Sequence, residues 1–275
     1  MSTLYRSSLS STSGPLHPLD DVPPDAGRIG ILAAVQEELT GLLALMSPGV
    51  RVHRIGMRDY HVGMLGSQPC VAVLARIGKV AAAASAVTLI REFGADTLIL
   101  TGLAGGIGPD VNIGDIVVAD GLIQHDMDAS PLFQRYEVPL LGISEFATDA
   151  SLSDLLCRCA AEYLAQEPPA KDLVVFGIER PRVHRGLIAS GDQFIGNAHI
   201  ASTLRDALPG VLCVEMEGAA VAQICHEYGA RCAVVRTISD RADASADIDF
   251  SAFLANVASR YCGGIFTRLA VHPVR

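Results

Sequence analysis

From Arg28 onward, short apolar runs of strand length (ILAAV, VAVLA, LIL, DIVVAD) alternate with longer Ala-rich stretches of helical length. A sheet covered by helices on both faces requires this pattern, because its strands are apolar on both sides and many are followed by a helix. The fold class expected is therefore α/β, a three-layer α/β/α sandwich around a central mixed sheet. Strands are expected over 29–35, 60–65, 70–76, 97–102, 115–120, 183–190, 211–216 and 232–239, and helices over 37–46, 79–93, 151–165, 199–207, 217–228 and 251–270. The helix at 79–93 reads most cleanly. Ala82, Ala86, Leu89 and Ile90 form one apolar stripe, Gly78 precedes the first turn, and Gly94 stands where a C-terminal cap belongs. The stretch 166–182, with Pro168, Pro169 and Pro181, fits either an extra edge strand or a surface excursion.

The chain has 275 residues, half of them apolar, enough to build the core of one large domain. Residues 28–275 are expected to form a single catalytic domain. Residues 1–27, rich in Ser, Pro and Asp, read as a disordered extension without the apolar run of an export signal. Charges or glycines break every apolar run short of the ~18 residues a membrane helix needs. Seven scattered cysteines suit a reducing cytoplasm, and Cys157 and Cys159, one residue apart, do not have zinc-site spacing. A net charge of −9 disfavours nucleic acid and anionic lipid as partners, and leaves a small neutral or cationic ligand as the better fit.

In open α/β sheets ligands bind beyond the carboxyl ends of the strands, so polar residues just after a strand carry the most information. Three acids qualify: Glu38 after ILAAV, Glu217 after VLCVEM, and Asp240 after CAVVRTIS. Each also has a plainer role. A carboxylate opening a helix is favoured by ~0.3–1 kcal/mol, and an Asp at a strand end commonly caps a turn. The segment TGLAGGIGPDVNIGD sets Gly102, Gly105 and Gly106 behind a strand, where backbone can approach a phosphate or a ribose, or simply turn tightly. Its glycine order is not that of a dinucleotide fingerprint, and Gly78-Lys79 lacks the rest of a Walker loop. His125, Asp126 and Asp128 have the residue types of a metal site, but a solvated loop is the better reading; neither a metal nor a cofactor is expected. By periodicity alone Phe194 and Met216 would be core residues.

Taken together, IGILAAVQEELTGL, IGKVAAAASA, TGLAGGIGPDVNIGDIVVAD, ASGDQFI, VEMEGAAVAQIC and VVRTISD resemble the purine and uridine phosphorylase superfamily, and within it the 5'-methylthioadenosine/S-adenosylhomocysteine nucleosidases. The resemblance implies a nucleoside phosphorylase-like enzyme that hydrolyses the N-glycosidic bond of 5'-substituted adenosines and releases adenine and a 5'-thioribose. It implies Glu38 as the general base acting on water, Asp240 as the proton source for the departing adenine, Glu217 as the ribose ligand, and Arg236 as a holder of the water or its base. Phe194 would stack on the adenine, backbone at Ile195 would read its edge, and Met216 would lie beside the sugar. Val35, Ala104, Gly105, Glu215 and Ser239 would complete the nucleoside pocket.

The resemblance also implies a homodimer whose second subunit completes the 5' pocket, with 124–141 at the interface. Where phosphorylase relatives carry phosphate-binding arginines this chain has Gln36-Glu37-Glu38 and Ile99-Leu100, which favours water over phosphate. Three positions depart from the pattern. Leu103 replaces a small polar residue, Val35 stands where relatives often have Met, and Leu132 where they often have Phe. The alternatives are a purine nucleoside phosphorylase, a futalosine-type hydrolase and a non-catalytic storage or binding member.

Overall fold

The computed structural model describes residues 27–46, 48–166, 178, 180–244 and 246–274. The amino-terminal extension and most of the 166–182 stretch therefore lie outside the described residues. Among the described residues ten strands and seven helices follow one another: β1 (Arg28–Ala33), α1 (Gln36–Leu43), β2 (Arg51–Ile55), β3 (Arg58–Leu65), β4 (Gln68–Leu74), α2 (Lys79–Phe93), β5 (Ala95–Gly106), β6 (Ile116–Gln124), β7 (Glu145–Ala147), α3 (Ala150–Gln166), β8 (Val183–Ser190), α4 (Ala198–Ala207), β9 (Val211–Glu215), α5 (Gly218–Tyr228), β10 (Arg231–Asp240), α6 (Ala246–Phe253) and α7 (Ser259–Leu269).

The sheet is mixed, as its strand patterns require. β1 is buried along its whole length and lies parallel between β4 and β5. β4, β3 and β2 then run outward as an antiparallel meander. Beyond β5 the sheet closes on itself. β5 pairs in parallel with β10, β10 antiparallel with β6, β6 in parallel with β8, and β8 in parallel with β9. β9 returns to β5 through Gly105–Val214 and Gly106–Cys213. One end of the central layer is thus a ring of five strands and the other an open sheet. Helices α1, α3 and α7 pack on one face, with Leu39, Leu42, Leu156, Tyr261 and Phe266 fully or nearly buried. Helices α2 and α5 cover the other, burying Ala82, Ala86, Leu89, Val221 and Cys225.

Three features were not visible in the sequence pattern, one of them the three-residue β7, too short to show a period, which pairs with β6. β2, RVHRI, is an edge strand with only half-buried or exposed residues, so it has no apolar run to announce it. The helix expected over 251–270 is interrupted by a π-helical turn at Leu254–Ala258. The extra residue in that turn rotates the stripe so that Phe253 and Val257 stay in the core alongside Tyr261, Cys262, Ile265 and Phe266. Helix α2 has the expected limits, with Gly78 at φ 98° before it and Gly94 in the left-handed conformation (φ 63°) after it. All seven cysteines are free, six of them buried. No helix among the described residues is long and apolar enough to cross a membrane.

Candidate active site

The carboxyl ends of β1 and β10, the bent end of β5 and the turn after β9 meet at one cavity of about 350 Å³. β1 and the start of α1 bring Val35 and Glu38 to it, and β5 brings Leu103, Ala104 and Gly105. β9 and the turn into α5 bring Glu215, Met216 and Glu217, and β10 brings Ser239 and Asp240. Phe194 stands at the lip, half exposed, with its ring edge-on to Phe250 at 5.9 Å between centroids. Ile195 lines a small adjoining recess together with Gly105, Met216 and Asp240. Ile77 and Phe250 also line the cavity, and strand-end reasoning did not single them out. Ile77 follows β4 by three residues, a strand-end position like that of Glu38, but an apolar side chain there is not picked out by a search for polar groups. Phe250 lies inside α6, where nothing local distinguishes it from core.

Glu38 divides its two oxygens between structure and site. Oε2 accepts from the backbone N–H groups of Ala34 (3.1 Å) and Val35 (3.3 Å), which secures the first turn of α1. Oε1 is buried and receives no protein donor, which leaves an acceptor in the cavity wall for a hydroxyl. Burial pushes the Glu38 carboxyl up to about 7, against the pull of nearby Arg236 and the two backbone donors. A carboxyl near neutrality is suited to taking a proton from a nucleophile.

Arg236 lies beneath the cavity, fully buried inside β10. Its Nη2 donates to Glu215 and to Glu217 Oε2 (3.0 Å), and Nη1 to the Thr101 carbonyl (3.4 Å). Burial works against its charge, but Glu215, Glu217 and Glu38 outweigh it and hold the guanidinium above its usual range. Glu217 is raised by burial, while Arg236 and the Gly78 N–H on Oε1 (2.8 Å) act to lower it. Glu215 is saturated. It accepts from the N–H groups of Glu217 (3.0 Å) and Gly218 (2.9 Å), from Ser190 Oγ and from Arg236, and so ties the start of α5 to β8 and β10. Although Glu215 lines the cavity, its oxygens are engaged by the protein. Asp240 accepts from Ser239 Oγ through Oδ2 (2.8 Å) and from Ala242 N–H through Oδ1 (2.9 Å).

Three carboxylates around one guanidinium leave the buried cluster with an excess of negative charge, a setting that stabilises positive charge developing on a ligand. Gly102 makes the packing possible. A methyl there would be driven into Arg236 Nη1 and would come within 3.3 Å of Glu38 Oε1. Gly102→Ala is expected to lower stability by roughly 1–3 kcal/mol and to displace both groups; thermal melting alongside turnover checks this, and an unaltered Tm with parental rates would refute it.

The remaining sequence candidates are structural. Asp126 accepts from Lys79 Nζ (2.6 Å) and from Asp192 N–H (2.8 Å), and Asp128 accepts from Ser130 N–H (3.0 Å). No group of three or more potential metal ligands converges among the described residues.

Comparison with known proteins agrees with this layout. The sequence profile of the phosphorylase superfamily matches residues 28–270. A 5'-methylthioadenosine/S-adenosylhomocysteine nucleosidase of Actinobacillus succinogenes is 34% identical over 244 residues, covering 88% of this chain and 98% of its own. An aminodeoxyfutalosine nucleosidase of Helicobacter pylori is 34% identical over 231 residues, covering 84% of this chain and 93% of its own. The crystal structure of the Neisseria meningitidis 5'-methylthioadenosine/S-adenosylhomocysteine nucleosidase with methylthio-immucillin-A superposes with a TM-score of 0.79 at 31% identity, covering 90% of this chain and all of that one. With the profile spanning nearly every described residue and the strand-end acids gathered in one cavity, the chain belongs to the phosphorylase superfamily.

Proposed function

We propose that the protein hydrolyses the N-glycosidic bond of 5'-substituted adenosines such as 5'-methylthioadenosine and S-adenosylhomocysteine, releasing adenine and the 5'-substituted ribose. Cleavage passes through a ribosyl cation with the purine leaving as an anion, so both halves need opposite charge. Asp240, beside the recess lined by Ile195, supplies the proton to the departing base, and Phe194 and Phe250 flank the adenine. Glu217 holds the ribose hydroxyls, with Met216 beside the sugar, and the carboxylates of the buried cluster stabilise the cation. Glu38 orients and deprotonates the water, with Arg236 fixed beneath it.

The observation that carries this reading is Glu38 Oε1, an acceptor without a protein donor in a cavity wall that contains no Lys or Arg among the described residues. Arg236 lies below that wall and is held by Glu215 and Glu217. A phosphate dianion would meet carboxylates there, whereas water meets an acceptor of suitable basicity. Convergence of Glu38, Glu217 and Asp240 on one cavity also speaks against a storage role. Exposed Leu132 and Leu140 support a homodimer built on the 124–141 stretch, and the free cysteines fit a cytoplasmic enzyme of nucleoside catabolism.

Adenine release from 5'-methylthioadenosine by purified protein is expected at the same rate in phosphate-free and phosphate-containing buffer. Release that requires phosphate would make the enzyme a phosphorylase, and no release in either buffer would overturn the substrate assignment. The aminodeoxyfutalosine nucleosidase relative favours a second reading, a futalosine-type nucleoside, which the same assay tests directly.

A further inference from the structure

A second cavity, of about 370 Å³, lies next to the catalytic one and has the opposite charge. β1 and β4 are parallel neighbours, paired Ala33 to Leu74, with Ala75 N–H bonded to the Ala33 carbonyl at 2.8 Å. The residues that follow the two strands therefore emerge side by side on the rim. Val35 and Ile77 line the catalytic cavity, while their chain neighbours Gln36 and Arg76 line the second. At both strand ends, consecutive chain positions thus line the two cavities. The β2–β3 hairpin forms the far side and contributes Arg54, Arg58 and Asp59. Asp59 pairs with Arg54 at 3.0 Å, which leaves Arg58 and Arg76 as cations without a carboxylate partner among the described residues.

Arg76 adopts φ 71°, a conformation that ordinary side chains avoid and that is retained where the surroundings fix it. Its Nη2 donates to the carbonyl of Met57 at the hairpin tip (2.7 Å), and Arg58 donates to the Ala75 carbonyl (3.4 Å). These bonds tie the hairpin to the β4–α2 turn and fix two guanidinium groups just outside Ile77, itself half exposed at the mouth of the catalytic cavity. A nucleoside seated with its ribose on Glu217 would send its 5' substituent toward this rim. An anionic tail would be repelled by Glu38, Glu215 and Glu217 and attracted by Arg58 and Arg76, so its charge would orient the ligand as well as hold it.

Resting on the nucleosidase reading, we infer that the cavity at Arg58 and Arg76 is a subsite for a carboxylate at the end of the 5' substituent, and that it makes the enzyme selective for 5'-substituted adenosines with an anionic tail. The test compares 5'-S-(3-carboxypropyl)-5'-thioadenosine with its carboxamide, equal in length and differing in charge. Wild-type protein is expected to favour the carboxylate in kcat/KM by about tenfold at low salt, the scale of one charge-assisted hydrogen bond. The preference should fall to within about twofold in Arg76→Asn, a residue that tolerates the left-handed backbone. Turnover of 5'-methylthioadenosine, which has no charged tail, should stay within about twofold of wild type in that variant.

Calorimetric Kd values for the same two ligands read the ratio without turnover, so the subsite is judged even if no nucleoside is hydrolysed; that result would sink only the nucleosidase reading. Equal use and equal binding of carboxylate and carboxamide by wild type would overturn the subsite. So would a preference that survives intact in both Arg76→Asn and Arg58→Gln, or inorganic phosphate binding at the arginines while the two tails are treated alike, which would make the cavity a site for free anions.

Discussion

Asp240→Asn is expected to fold as the parent does and to lose about 10²–10⁴ of its turnover of 5'-methylthioadenosine, the usual contribution of a positioned proton donor. The local bonds explain why folding should survive. An amide oxygen can still accept from Ala242 N–H, and Ser239 Oγ, now a donor to Asp240 Oδ2, can turn to accept from the new amide. What the substitution removes is a transferable proton beside the base recess. Steady-state kinetics and thermal melting together decide the matter. Parental rates would remove Asp240 from the chemistry, and a collapsed Tm would show that the residue serves the turn after β10.

The second large effect separates activity from stability. Glu38→Gln is expected to lose turnover on a similar scale while melting no lower than the parent at pH 8. The sign follows from the position of the carboxyl, about 7 in the folded chain against 4.5 for an ordinary glutamate. Between those values the folded state binds more protons than the unfolded one, so stability falls as pH rises through that window. The full difference corresponds to roughly 3 kcal/mol, which the neutral amide does not incur. The Tm gap between Glu38→Gln and the parent should therefore widen from pH 5 to pH 8. In the parent, kcat/KM should fall about tenfold per pH unit below about 7, as the free enzyme's base becomes protonated. A flat acid limb, or a Tm gap that does not change with pH, would refute the assignment of Glu38 as that base.

How far these features could be read from the sequence depended on whether the physical cause was local. β1, β4, β5 and β10 are apolar runs and α2 has its glycine caps, so periodicity and turn chemistry located them. β2 left no trace because an edge strand exposed along RVHRI needs no apolar residues. The π-helical turn at Leu254–Ala258 was hidden because apolar residues lie on both sides of it, and a register shift inside such a run does not change composition. Closure of the strand ring depends on Gly105 and Gly106 meeting Val214 and Cys213 across more than a hundred residues, which no window along the chain contains.

The site divides in the same way. Glu38, Glu217 and Asp240 stand at strand ends, where topology alone draws attention, and family resemblance then supplied distinct roles. Arg236 sits within the buried part of β10, where only the resemblance marked it, since a buried arginine makes sense only once Glu215 and Glu217 are known to surround it. Phe250, reaching the cavity from α6, was legible by neither route.

The ring has a consequence for how the chain coexists with copies of itself at high concentration. An open sheet offers two unpaired margins from which cross-molecular strand addition can start, but here one margin has been used up by pairing β9 back to β5. Among the described residues the long margin that remains belongs to β2, where Arg51, His53 and Arg54 interrupt the run and incoming backbone would meet positive charge. Short length and basic side chains are the features that discourage templated association at such a margin. The curved end of the sheet that shapes the catalytic cavity thus also leaves, among the described residues, only the basic edge at β2 and the three-residue β7 as frontiers to guard against aggregation.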